Sequence, residues 1–437
     1  MKKPPRPDSP SRRQMLALSA GALTALGCRA SAPASPLDST MEPDPELDDL
    51  FADLEDQRPL HRPITAQEKA VRRQQLGRLL ADRGLDALLV EASPTLTYLS
   101  DVTWGRSERL FALIVLADGS SFWIAPAFEV PRAEEKIREA GGPAGPVIAW
   151  DEHEYAWAPL AAALRERGVE RIAIEPSSRA FVPFALAREL GSDRVVDGTE
   201  LVIALRGVKE PHELALLRAA NEITQRAIVA VSERLRPGMT DHDVARWMRH
   251  AQQRMGLTGV WVLALLDEGA AYPHGRASGE TLEKGDLVLV DTGGALHGYQ
   301  SDNTRTWIFD GAPSAEVERG WNAVRDAQKR AYETIRPGIP ASEVDAAARG
   351  VLTEAGYGPG YEAFAHRLGH GIGLEGHESP NFDGGSGTIL APGMTFSDEP
   401  GIYLPGRFGI RIEDIVAVTA EGADHFGNWQ QGPRSPA

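Results

Sequence analysis

The chain has 437 residues, of which 42% are hydrophobic. This is ordinary for a globular protein but longer than one hydrophobic core usually serves, so two domains are expected. Its net charge of −16 and the lack of a basic stretch interleaved with aromatics weigh against nucleic acid as a partner. Cys28 is the only cysteine, which excludes an intramolecular disulfide.

The N-terminus reads as an address. Lys2, Lys3 and Arg6 precede Ser11-Arg12-Arg13-Gln14-Met15-Leu16, and a weakly apolar stretch then runs to Gly27, a pattern that resembles a twin-arginine export signal. Met15 to Gly27 is 13 residues, short of the roughly 20 needed to span a bilayer. Cys28 follows directly and resembles the lipidated cysteine of a bacterial lipoprotein, so residues 1–28 are assigned as a signal peptide with lipidation at Cys28. Ala25-Leu26 departs from the usual lipoprotein form, and Ala32-Pro33-Ala34 offers an ordinary cleavage site instead. Export to the periplasm or cell envelope is expected, with membrane contact only through that anchor. Residues 29–60, rich in Ser and Pro and crowded with acids from Glu42 to Asp56, read as a disordered acidic linker.

The first folded domain is expected over 61–206. Thr65 and Glu68 form a capping-box pattern ahead of a helix running to about Arg83. Strands are expected at Asp86 to Glu91, Phe111 to Leu116 and Ile172 to Ile174, with a helix at Phe181 to Leu190, an alternation that indicates an α/β unit. Trp104 fits either a site border or the core. The second domain, 207–437, opens at Pro211, which suits the first turn of a long amphipathic helix to about Leu235, and another helix starts at Thr240-Asp241.

In this second domain Asp291 ends the apolar run Leu287-Val288-Leu289-Val290, which reads as a strand buried on both faces, where an unpaired carboxylate is costly. Asp302 follows the turn Gly294 to Gly298 on what reads as the return strand of a hairpin, so the two aspartates can face each other. His370 lies between glycines in Gly369-His370-Gly371, where missing Cβ atoms permit close approach. Glu399 precedes the turn pair Pro400-Gly401. In Ile410-Arg411-Ile412-Glu413 a strand alternation places Arg411 and Glu413 on one face. Gly and Pro from Gly384 to Gly393 read as a loop over the site. Four carboxylates and one imidazole in this order suit two divalent cations.

These segments, together with Leu287 to Gly293, Ser301 to Thr306, His366 to His377, Asp398 to Tyr403 and Gly409 to Asp414, resemble the pita-bread metallopeptidases: aminopeptidase P, prolidase and methionine aminopeptidase, with creatinase as a metal-free relative. The likeness covers roughly residues 62 to 425 and implies an α/β (α+β) chain with a creatinase-like N-terminal domain and a pita-bread catalytic domain. It implies that Asp291 chelates one ion, that His370 and Glu399 bind the other, and that Asp302 and Glu413 bridge both. Glu399 is implied as general base. His274, His366 and His377 are implied as donors to the scissile carbonyl, the oxyanion or the proline end of the substrate, with Tyr403 beside the substrate and Arg411 supporting the ligands. The mostly oxygen donor set favours Mn²⁺, with Co²⁺, Fe²⁺ or Zn²⁺ as alternatives.

The implied substrate is a short peptide with proline second, cleaved before the proline by a homodimer. Xaa-Pro dipeptidase activity is favoured, with an aminopeptidase P type activity on longer peptides as the alternative. Asn381 stands where several prolidases carry an arginine thought to hold the dipeptide carboxylate, which weakens the dipeptidase reading. A metal-free binding scaffold is the rival from another class, and a different hydrolysis or lyase reaction on the same centre is a third reading.

Overall fold

The computed structural model describes residues 44–143, 145–275 and 279–437. The signal-like segment and Cys28 lie outside these residues. No described helix is long and apolar enough to cross a membrane.

Residues 44–60 correct the expectation of a linker extending to residue 60. Helix α1 (Pro45–Leu50) is capped by the Asp44 side chain, which accepts from the Leu47 amide. Leu47, Phe51 and Leu54 repeat at helical spacing and are buried against the catalytic domain. The acids between them stay near the surface, where Asp44 pairs with Arg246 and Asp53 with Arg234. Burial of three apolar side chains outweighs the local charge density, because each contributes about 1.5–3 kcal/mol while exposed acids are cheap to solvate.

The N-terminal domain starts at the Thr65–Glu68 capping box, both halves of which form at the head of α2 (Ala66–Asp82). It continues through β1 (Ala87–Glu91), α3 (Pro94–Ser100), β2 (Ala112–Leu116), β3 (Ser121–Pro126), α4 (Val130–Glu139), β4 (Val147–Trp150), α5 (Trp157–Glu166), β5 (Ile172–Ile174), α6 (Phe181–Leu190), β6 (Val195–Asp197) and α7 (Thr199–Arg206). The six strands lie in the order β4-β3-β2-β1-β5-β6, with β1 antiparallel to β2 and parallel to β5. Every residue of β1 is buried, as its unbroken apolar run requires of a central strand. Trp104 stacks on Phe111 at 4.1 Å beside the core of this domain.

The catalytic domain opens with α8 (Pro211–Ser232) and α9 (Asp241–Arg254), the latter capped by Thr240 and Asp243. Both pack on β7 (Thr258–Leu266), β8 (Leu287–Leu296), β9 (Tyr299–Gln300) and β10 (Asn303–Ile308), where β8 lies between β7 and β10. Helices α10 (Ala315–Thr334) and α11 (Ala341–Glu354) pack against a second sheet. That sheet is built from β11 (Gly369–Gly371), β12 (Glu378–Phe382) and β13 (Thr395–Asp398), then, beyond the hairpin β14 (Gly401–Leu404) with β15 (Phe408–Arg411), from β16 (Asp414–Val418) and β17 (Ala423–His425). Its order is β12-β11-β13-β16-β17.

Three local expectations are corrected here. The hairpin turn is tighter than Gly294 to Gly298, because β8 continues to Leu296 and only His297 (φ 50°) and Gly298 (φ 89°) turn, both left-handed as a two-residue hairpin demands. Glu413 is not on one strand with Arg411, because β15 ends at Arg411 and the Glu413 amide crosses to donate to the Thr304 carbonyl. The Gly384 to Gly393 loop does not cover the site. Its backbone is tied to Gly338, Ala341, Ser342 and Lys209 instead.

Candidate metal centre

The hairpin register sets the first two carboxylates. Thr304 pairs with Asp291 and Asn303 with Thr292, so Asp302 falls opposite Gly293, one residue ahead of β10. The Asp302 amide donates to Asn221 Oδ1 from α8, which fixes that residue where the strand begins. Glu413 is held from the same hairpin, with Thr304 Oγ1 donating to its Oε2 at 2.7 Å. Glu399 sits just past β13, its Oε1 accepting from Ser397 Oγ at 3.1 Å. The flanking glycines of His370 let strands approach: a Cβ on Gly369 would lie 1.9 Å from the Ser397 carbonyl oxygen, and one on Gly371 2.4 Å from that of Glu378.

The ligand atoms of Asp291, Asp302 and Glu413 all lie within 4.8 Å of one another, as do those of His370, Glu399 and Glu413 and those of Asp302, His370 and His377. Asp302, His370 and Glu413 are each shared between two of these groups, so the ligand atoms form one continuous cluster. His370 donates from Nδ1 to the Gly371 carbonyl at 3.0 Å, which leaves Nε2 to face Glu399 Oε1 at 3.4 Å and Asp302 Oδ2 at 3.6 Å. A carbonyl on the far nitrogen fixes the tautomer that presents a lone pair to an ion. Burial, then the charge of neighbouring His377, pushes His370 down to about 3, so it stays neutral as ligation requires.

The electrostatics call for cations. Burial, then repulsion from Asp291 and Glu399, holds Asp302 well above the usual carboxyl range. Burial and the charges of Asp302, Glu399 and Asp291 do the same to Glu413. Glu399 is pushed up to about 7 by burial, against the pull of Arg411 and with the push of Asp291. Asp291 Oδ1 is buried with no hydrogen-bond partner among the described residues. One guanidinium, Arg411, cannot balance four carboxylates in this space. The residues therefore fit a pair of divalent cations.

Arg411 links the centre to its surroundings. Its Nη2 donates to Asp291 Oδ2 at 2.6 Å, Nε to Thr304 Oγ1 at 3.1 Å and Nη1 to the Tyr403 hydroxyl at 2.8 Å. The Tyr403 hydroxyl lies 2.7 Å from His366 Nε2, while His366 Nδ1 lies 2.7 Å from the Arg367 carbonyl. A carbonyl only accepts, so Nδ1 carries the proton and Nε2 accepts from Tyr403. Burial and then Arg411 push His366 down to about 3, consistent with that neutral form. Both His366 nitrogens are thus engaged within the protein, so this arrangement leaves it no proton to offer a substrate. His377 differs. It stacks on His370 at 3.7 Å and its Nδ1 accepts from Arg367 at 3.4 Å, which places its proton on Nε2. His377 and His274 are the exposed histidines of the group, and the Pro273 carbonyl beside His274 accepts from Arg411.

Sequence reasoning passed over four residues that organise the centre. Thr304 joins Glu413 to Arg411, and Asn221 fixes Asp302. Asp345 and Arg349, one turn apart on α11, hold the His366 segment: Asp345 accepts from the Leu368 amide, and Arg349 donates to the Phe364 and His366 carbonyls. A buried Asp–Arg pair four apart on a helix is legible in sequence, but its target is not. Arg367, also passed over, has no carboxylate within ion-pairing reach among the described residues.

Comparison with known proteins places these observations. Residues 215–420 match metallopeptidase family M24, and residues 72–208 match the creatinase/prolidase N-terminal domain. The chain is 39% identical over 350 residues to a probable dipeptidase PepE of Mycobacterium tuberculosis, covering 80% of this chain and 91% of that protein. It is 33% identical over 354 residues to an Xaa-Pro dipeptidase of Lactobacillus delbrueckii subsp. lactis, covering 79% and 94%. The crystal structure of dipeptidase PepE from Mycobacterium ulcerans superposes with a TM-score of 0.77 at 35% identity, over 86% of this chain and 99% of that one. The chain belongs to metallopeptidase family M24, with a creatinase/prolidase N-terminal domain ahead of a pita-bread catalytic domain.

Proposed function

We propose that this protein is a dinuclear metal-dependent Xaa-Pro dipeptidase, with Asp291, Asp302, His370, Glu399 and Glu413 as ligands and Mn²⁺ as the resident ion. The observation that carries the dipeptidase reading is Arg367. Its guanidinium lies half-buried beside His377, its charge is felt at His370 and Glu399, and among the described residues no carboxylate lies within ion-pairing reach of it. A free dipeptide carries a carboxylate one residue past the scissile bond, which suits a guanidinium beside His377 at the edge of the centre. Arg367 thereby takes the part that Asn381, which pairs with His370 across β11 and β12, cannot play. The relatives named as dipeptidases support the same reading.

Two bound cations would polarise the scissile carbonyl and make a water acidic enough to attack at neutral pH. Glu399, held just past β13 by the Ser397 hydroxyl on its Oε1, is placed to accept and return that proton. His377 offers its Nε2 proton to the developing oxyanion, and His274 lies on the same open side. His366 orients the Tyr403 hydroxyl, and Arg411 keeps Asp291 aligned. Turnover of Leu-Pro and Ala-Pro against Leu-Pro-Gly and Ala-Pro-Gly, with metal content measured on the same Mn²⁺-loaded sample, tests the reading. Preference for the tripeptides would favour the aminopeptidase, and neither metal nor cleavage would favour the scaffold.

We also propose homodimerisation, export by the twin-arginine route and lipidation at Cys28. Mass spectrometry of the mature N-terminus decides the last, and a chain beginning at Ser35 would refute it.

A further inference from the structure

His377 is carried by a segment that the N-terminal domain grips from both sides. Arg206, the last residue of α7, is buried, and its Nη2 donates to Glu375 Oε2 at 2.8 Å and Glu378 Oε2 at 2.6 Å. Lys209, buried in the connection between the domains, donates to the other Glu378 oxygen at 2.6 Å. Nη1 of Arg206 bonds Thr95 Oγ1 at 3.1 Å, and Thr95 in turn bonds Glu175 at 3.0 Å, so the fork is anchored inside the N-terminal core. Just ahead of the two gripped glutamates, Leu374 packs against the cores of both domains. Glycine at 373 is needed beside this network, since a Cβ there would sit 2.5 Å from Glu378 Oε1.

Arg206, Lys209 and Glu378 are buried while Glu375 reaches the surface, and a buried ion network of this kind is roughly neutral for stability beside a well-packed apolar alternative. What such a network fixes is direction. Glu375 and Glu378 flank His377 at two residues before and one after, so holding both carboxylates sets the path of the His377 backbone. His377 in turn stacks on the ligand His370 and takes a hydrogen bond from Arg367. We propose that Arg206 is a positioning residue for His377, acting through Glu375 and Glu378, so that the N-terminal domain completes the active site of its own subunit. Its catalytic consequence rests on the dipeptidase reading; the positioning itself does not.

The test is a double-mutant cycle with Arg206→Met and His377→Ala, read by Leu-Pro kinetics and by amide hydrogen exchange on the full metal-loaded protein. A side chain displaced by about 1 Å costs about 100-fold in rate, so Arg206→Met is expected to lower kcat about 10- to 100-fold while KM moves less than about threefold. In the His377→Ala background the same change should cost less than about threefold, because the two residues act as one unit. Amides 373–378 should exchange at least about tenfold faster in Arg206→Met while those of β1 are unchanged. Arg206→Lys, which keeps the charge and loses the fork, should recover part of kcat. Equal losses in both backgrounds, or faster exchange throughout the N-terminal domain, would overturn the proposal. If the wild type cleaves no Xaa-Pro peptide, the functional reading fails instead, and the exchange pattern alone decides the positioning.

Discussion

Arg367→Met isolates the feature on which substrate choice turns. The guanidinium meets no carboxylate among the described residues, so removing it strands no buried charge; the partner that loses a hydrogen bond is His377 Nδ1. At about 4 Å and an effective dielectric near 20, a pair of unit charges interacts by about 4 kcal/mol, which bounds the effect from above. Arg367 is half-buried, so the figure for a hydrogen bond to a charged group, about 1.5–3 kcal/mol, is the better guide. That corresponds to about 10- to 100-fold in KM for Leu-Pro. Arg367 also holds His377 and Glu399 below where burial alone would leave them, so its loss will disturb the chemistry of every substrate somewhat. The ratio of kcat/KM for Leu-Pro to that for Leu-Pro amide cancels this shared effect. The ratio should fall about 10- to 100-fold, by the same arithmetic. Equal losses on both substrates would refute the assignment of Arg367 to the substrate carboxylate.

Four further outcomes follow from the geometry. Glu399→Gln should abolish Leu-Pro turnover while circular dichroism stays native, and unchanged turnover would sink its assignment as base. Chelation should abolish activity and lower the melting temperature, since four crowded carboxylates are left with Arg411, hydrogen-bonded to Asp291, as their ion-pair partner among the described residues, and Mn²⁺ should restore both. Phe51→Ala, at a fully buried ring packed edge-on to Trp247, should cost about 3–5 kcal/mol in urea unfolding; a loss below about 0.5 kcal/mol, the scale of an ordinary surface change, would show that residues 44–60 do not hold to the catalytic domain in solution. Glu68 is held down at about 2, with its Thr65 hydrogen bonds and His212 overcoming burial, so its contribution is complete above the ordinary carboxyl range and is lost as pH falls toward 2. Glu68→Gln should therefore narrow the stability gap between pH 6 and pH 3 in equilibrium unfolding.

Local signals were legible in the sequence, and long-range ones were not. The Thr65–Glu68 box, the proline opening α8 and the apolar run before Asp291 each act within a few residues, and each forms as read. Family likeness brought together five residues spread from 291 to 413, which no local pattern does. The helical spacing of Leu47, Phe51 and Leu54 was present but hidden among acids, and charge density misled because it says nothing of the face left over. The break between Arg411 and Glu413 depends on a bond to Thr304, 109 residues away from Glu413. The Arg206–Glu378 pair spans 172 residues and two domains. Neither end carries a local sign of the other.

As a two-metal Xaa-Pro dipeptidase, this chain should hydrolyse Leu-Pro only when its ions are bound. The most direct measurement is the rate of Leu-Pro hydrolysis against bound Mn²⁺ per chain in a titration of the metal-free protein. Turnover that is complete near two ions per chain and absent in the Asp302→Ala and Glu413→Ala variants is the predicted result. Leu-Pro left intact with two ions bound, or full turnover with none, would contradict it.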